Sequence, residues 1–114
     1  MKVIIAGSRD LVDFRLVGQA LEASGFEVTE VVSGCCRGPD LNGQLWAEFR
    51  AVTVTKFPAD WEAYGPSAGP RRNAQMADYA DALVAIWDGK SRGTRDMIQQ
   101  MVYRKKRFYV WLVK

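Results

Sequence analysis

Apolar positions along this chain switch repeatedly between the short continuous runs of buried strands and the three-to-four spacing of helices. Val3–Ala6 predicts a first strand. Asp13 is placed to cap a helix that buries Phe14, Val17, Ala20 and Leu21, and Gly25 is placed to end it. Val28–Val32 predicts a second strand. Pro39 then suits a first helical turn, with Leu41, Leu45 and Phe49 repeating along one face. Val52–Phe57 predicts a third strand, rich in β-branched residues. The segment from Pro58 to Pro70 has neither period and reads as a long irregular loop carrying Trp61, Tyr64, Gly65 and Gly69. A helix is expected from Pro70 to Tyr79, with Met76, Ala77 and Ala80 on one face. A strongly apolar strand, Ala82–Trp87, comes next. Thr94 opens a last helix that buries Met97, Ile98, Met101 and Val102, and Phe108–Val113 closes the series as a strand. Strands alternating with helices predict an α/β fold: a Rossmann-like, doubly wound, mostly parallel five-stranded sheet with helices on both faces, in one domain over residues 1–114.

Three of the expected strands run into turns made of glycine, serine and arginine. These are Gly7-Ser8-Arg9, then Ser33-Gly34-Cys35-Cys36-Arg37-Gly38, then Asp88-Gly89-Lys90-Ser91-Arg92-Gly93-Thr94. Glycine lets backbone N–H groups approach a ligand, a following helix N-terminus attracts negative charge, and arginine adds a planar fork for phosphate or carboxylate. In open sheets of this kind ligands bind beyond the carboxyl ends of the strands. The three turns are therefore expected to share one anion-binding crevice, which points to a phosphorylated ligand.

Composition narrows the chemistry. The 114 residues include no histidine, so Ser–His and Cys–His nucleophilic pairs are excluded and the commonest metal ligand is missing. Cys35 and Cys36 are adjacent, which strains a disulfide between them; they are expected as free thiols in a reducing, cytoplasmic setting, with no metal site. The net charge of +3 is mild, and the run Arg104-Lys105-Lys106-Arg107 reads as a solvated helix end in preference to a nucleic-acid patch. The opening apolar run is too short for a signal peptide, and no window approaches a membrane span. Four Trp, four Tyr and five Phe leave aromatic surface for a pocket or a subunit contact, with Trp46, Trp87 and Trp111 read as core or interface.

The motifs together resemble the YspA-like branch of the SLOG superfamily, the Rossmann-like group that includes the Smf/DprA proteins and the Lonely guy phosphoribohydrolases. The residues carrying the resemblance are Gly7-Ser8-Arg9; Ser33-Gly34 with Arg37-Gly38 and Asp40; Pro58-Ala59-Asp60-Trp61 through Tyr64-Gly65, Ala68-Gly69, Arg72-Asn73 and Met76; and Trp87-Asp88-Gly89 with Ser91-Arg92-Gly93-Thr94. Each motif is weak alone, and their order and spacing make the match specific. The resemblance implies a nucleotide-binding fold, with several relatives acting as sensors and many as dimers or larger assemblies. It nominates Gly7, Ser8, Arg9, Ser33, Gly34, Arg37, Gly38, Asp40, Arg72, Asn73, Asp88, Gly89, Ser91, Arg92, Gly93 and Thr94 for the ligand. Trp61, Tyr64 and Gly69 are nominated as a base or ribose wall or lid.

One departure bears on catalysis. Lonely guy enzymes carry their catalytic glutamate three residues after the Gly-Thr pair; here that position is Met97, and a thioether serves as neither base nor cation stabiliser. Asp96 lies about a hundred degrees around the helix and should point elsewhere. Asp10, Asp40 and Asp88 remain as carboxylates on other loops, with capping or turn formation the simpler role for the last two. The expected function is binding of a nucleotide-derived ligand, whether mononucleotide, NAD- or ADP-ribose-like or cyclic, by a sensor or sequestering module. The alternatives are a nucleotide hydrolase cleaving an N-glycosidic bond and a single-stranded-DNA binder of the Smf/DprA type.

Overall fold

A computed structural model describes residues 1–11, 13–36 and 38–113. The strands are β1 (Lys2–Gly7), β2 (Glu30–Ser33), β3 (Thr53–Lys56), β4 (Ala82–Trp87) and β5 (Arg107–Leu112); the helices are α1 (Arg15–Ser24), α2 (Pro39–Phe49), α3 (Trp61–Tyr64), α4 (Ala68–Tyr79) and α5 (Arg92–Tyr103). The sheet runs in the order β3-β2-β1-β4-β5, and every pair is parallel. The fold is thus α/β and Rossmann-like, and the sheet is parallel throughout.

Strand alternation divides the core in two. Val3 and Ile5 of β1 join Val31, Val84 and Ile86 beneath α1 and α2, where Val17, Ala20, Leu21 and Ala47 meet them. Ile4 and Ala6 face the other way, with Val32, Leu83 and Ala85, and are covered by Met76, Ala77 and Ala80 and by Met97 and Met101 of α5. Gly25 ends α1 at φ 71°, the left-handed conformation expected of a helix-ending glycine.

Several expectations change. The stretch after β3 is mostly helical: Asp60 caps α3 by accepting from the Ala63 N–H, a 3-10 turn spans Gly65–Ser67, and α4 begins at Ala68. Asp13 does not cap α1; its carboxylate instead accepts from both the backbone N–H and the guanidinium of Arg15. The apolar stripe of α2 does not face the core. Asp40, Gly43, Gln44 and Ala47 turn inward, while Leu41, Leu45 and Phe49 lie outside, Phe49 at 84% exposure with its ring edge against a likewise exposed Phe14. The cause is close approach. A Cβ on Gly43 would come within 2.9 Å of the Ile5 side chain, so only a small residue lets the helix rest on β1. Gln44 then donates to the Ser33 hydroxyl at 2.8 Å and holds that rotation. Val102, expected inside, is also exposed.

The basic run at the end of α5 is largely structural. Arg104 pairs with Asp78 at 2.7 Å, and the Lys106 ammonium donates to the carbonyls of Ala77, Asp78 and Ala80, where α4 ends. Among the described residues, no helix is long and apolar enough to cross a membrane.

The rotation of α2 is directly testable. Gly43→Ala is expected to cost about 1–3 kcal/mol by overpacking. Leu45→Gln, on the outer stripe, is expected to stay within about 0.5 kcal/mol of wild type. Urea denaturation of both variants checks the assignment.

Candidate functional site

The strand order reverses direction between β1 and β4, and a cavity of about 490 Å³ opens there beyond their carboxyl ends. Four segments wall it: the loop after β1, the start of α2 with the loop before it, the middle of α4, and the turn from β4 into α5.

The first and last walls are tied together. Ser8 is buried, its N–H donates to the Ile86 carbonyl, and its hydroxyl accepts from the Asp88 N–H at 3.0 Å. Gly7 admits no side chain, because a Cβ there would fall 2.2 Å from the Ile86 oxygen and 2.6 Å from Pro39. Asp88 organises its own turn, accepting from Lys90 and Ser91 N–H at 2.8 and 2.9 Å, and these bonds hold its carboxyl below the usual range. Gly89 takes the left-handed conformation at φ 80° that the turn requires. Ser91 caps α5 through the Thr94 N–H, and the Trp87 indole donates to the Ser91 carbonyl from behind. Gly93, in the first turn, has open space where a side chain would stand. The N-terminal end of α5 therefore faces the cavity with its partial positive charge, joined by Lys90 and, across the opening, by Arg9.

The second and third walls hold a buried pair of opposite charges. Asp40 and Arg72 are only 5% and 8% exposed. The Arg72 guanidinium donates to the Gly34 carbonyl and to the Asn73 side chain, and lies 3.8 Å from the Cys36 sulfur. A Cβ on Gly34 would lie 2.6 Å from Arg72 Nη1 and 3.0 Å from Asp40 Oδ2, so both groups close over a residue that must lack a side chain. Burial pushes the Asp40 carboxyl up to about 7, against the opposing pull of Arg72 and of hydrogen bonding from the Gly7, Cys36 and Asp40 amides. Asn73 bridges to α5, donating to the Gly93 carbonyl and to Asp96. Asp96 is thus turned toward α4 and away from the cavity, which Met97 lines instead.

Of the residues nominated from the sequence, Gly7, Ser8, Arg9, Asp40, Arg72, Asn73, Asp88, Ser91, Gly93 and Thr94 line the cavity. Gly34, Gly38, Gly89, Ser33 and Arg92 stand off it. Gly38, at φ 81°, packs against the backbone of Ser8 and Arg9, and Ser33 is fully buried, hydrogen-bonded to Gln44 and the Asp40 carbonyl. Arg37 lies outside the described residues. Trp61, Tyr64 and Gly69 form a separate cluster: the Trp61 ring covers Gly69, and Arg71 stacks on Tyr64, leaving both aromatics about half exposed. Asp10, Cys36 and Lys90 are cavity residues that were not nominated. Lys90 had a visible signal, a cation inside the third glycine turn.

The charge on Asp40 couples stability to pH. Its folded pKa lies above the unfolded one, so its contribution is full below about pH 4 and is lost as pH rises through about 7. The stability of wild type relative to Asp40→Asn is therefore expected to rise as pH falls from 8 to 4, as chemical denaturation across that range would show.

With this geometry established, its relatives become informative. Residues 1–64 match the YAcAr family, described as YspA, cpYpsA-related SLOG. Gene 61 protein of Mycobacterium phage D29 is 36% identical over 109 residues, covering 87% of this chain and 86% of that protein. The X-ray structure of DNA processing protein A from Streptococcus pneumoniae shares the fold with a TM-score of 0.76 at 14% identity, covering 96% of this chain and 49% of that one. The chain thus spans about half the length of that structural neighbour. With residues 1–64, more than half its length, matched by the family model, the chain belongs to the YspA, cpYpsA-related SLOG family.

Proposed function

We propose that this protein is a single nucleotide-binding domain that takes a phosphorylated, nucleotide-derived ligand as a sensor or sequestering module. The carrying observation is the cavity at the β1/β4 switch point, walled on one side by the capped N-terminus of α5 with open space over Gly93. A phosphate fits there for two reasons: the helix end supplies backbone donors and partial charge, and Lys90 and Arg9 add full charge at the rim. A volume near 490 Å³ suits a mononucleotide or part of a dinucleotide. Binding is favoured over hydrolysis because the side chain at the Lonely guy glutamate position is the Met97 thioether, which is apolar and buried. Turnover is tested by incubating the protein with nucleoside monophosphates and NAD and looking for free base by chromatography; none is expected. Single-stranded-DNA binding would draw on the basic run at the end of α5, where Arg104 and Lys106 are already engaged with α4.

Inorganic phosphate, AMP, NAD, ADP-ribose and a cyclic dinucleotide form the binding panel. A ligand at a hundred times its Kd should raise the melting temperature by about 5 °C or more. Gly93→Asp places a carboxylate in the first turn of α5, which suits the helix but repels phosphate. It is expected to leave the melting temperature of the free protein unchanged or higher while weakening ligand binding at least about tenfold. Unchanged affinity in this variant would move the phosphate away from α5.

A further inference from the structure

The cavity has two chemically different ends. At the α5 end the helix-end donors and the Lys90 and Arg9 cations stand with Asp88, whose carboxylate is held by the Lys90 and Ser91 amides. At the other, a buried carboxylate and a buried guanidinium flank Gly34. An anion placed beside Asp40 would meet a like charge inside a low-dielectric wall, so the phosphate is directed to α5 and some other part of the ligand must face Asp40.

The groups at that second end define what it accepts. The Asp40 carboxylate is an acceptor that lines the cavity, with the Gly7, Cys36 and Asp40 amides opposing the effect of its burial. Arg72 has five N–H bonds; Gly34, Asn73 and the Cys36 sulfur engage most of them, and its fork converges with Asp40 on the space a Gly34 side chain would take. Acceptor and donor side by side match a rigid pair of hydroxyls, one donating a hydrogen bond to Asp40 and the other accepting one from Arg72. An acidic residue on the ribose hydroxyls is the recurrent solution in dinucleotide-binding sheets, where it follows the second strand. Here the carboxylate comes from the first turn of α2 and is buried, so a sugar lacking one hydroxyl would forfeit a hydrogen bond in a poorly hydrated place.

Resting on the phosphate-binding reading above, we propose that Asp40, oriented beside Arg72, reads the sugar diol and makes the site selective for ribose 5-phosphates over their 2-deoxy counterparts. Titration calorimetry at pH 8 with ribose 5-phosphate, 2-deoxyribose 5-phosphate and inorganic phosphate tests this without assuming a base. Wild type is expected to bind the ribose compound at least about tenfold more tightly than the deoxy compound. Asp40→Asn should reduce that ratio below about threefold, with inorganic phosphate bound as well as in wild type or better. Equal affinity of wild type for the two sugars, with inorganic phosphate still bound, overturns the proposal and leaves the phosphate-binding reading intact. Failure of all three compounds to bind overturns both. If Asp40→Asn does not fold, the wild-type comparison decides alone, and a ratio that persists in folded Asp40→Asn places diol recognition elsewhere and overturns the role of Asp40.

Discussion

A carboxylate and a guanidinium, both more than nine-tenths buried, close over one residue that has no side chain. Much of the site follows from that arrangement of Asp40, Arg72 and Gly34. Asp40 is placed by the inward rotation of α2, which Gly43 permits by resting on Ile5 and Gln44 secures through Ser33. Arg72 is placed by α4, whose Asn73 also grips the first turn of α5. The pair therefore joins elements from both faces of the sheet at the point where its two halves diverge. Removing either partner would leave a desolvated charge behind, which costs more than the pair itself contributes.

The remaining walls follow the same logic of backbone groups satisfied by short polar side chains. Ser8 ties the β1 loop to the β4 loop, Asp88 folds the next turn, and Ser91 caps the helix that follows. Several nominated residues prove to work at this level. Gly38 lets two loops pack, Ser33 anchors α2, and Gly89 supplies a left-handed turn. The resulting cavity is polarised, with helix-end donors at one side and the Asp40 carboxylate at the other.

The strands and most of the segments that wall the cavity were legible because strands buried on both faces read as plain apolar runs, and β4 matches its expected bounds of Ala82–Trp87. The buried face of α2 was not legible because its apolar stripe is real but outward, while the buried side is glycine, alanine and polar groups that satisfy one another. The loop before α4 hid two short helical turns because proline, glycine and aromatic residues there carry no period. Trp61 and Tyr64 were expected over the ligand, yet they pack with Gly69 and Arg71 away from the cavity, a result of α3 docking on α4 that no spacing encodes.

The sequence by itself determined the alternation of strands and helices, the chemistry of the turns and the absence of a glutamate at position 97, because each depends on local residue type and spacing. Only the tertiary structure decided which of those turn residues face the cavity and which merely shape it. That choice depends on helix rotation and loop packing, and these are set by close approaches between residues distant in sequence: Gly43 on Ile5, Gly38 on the β1 loop, and Gly34 beneath Arg72.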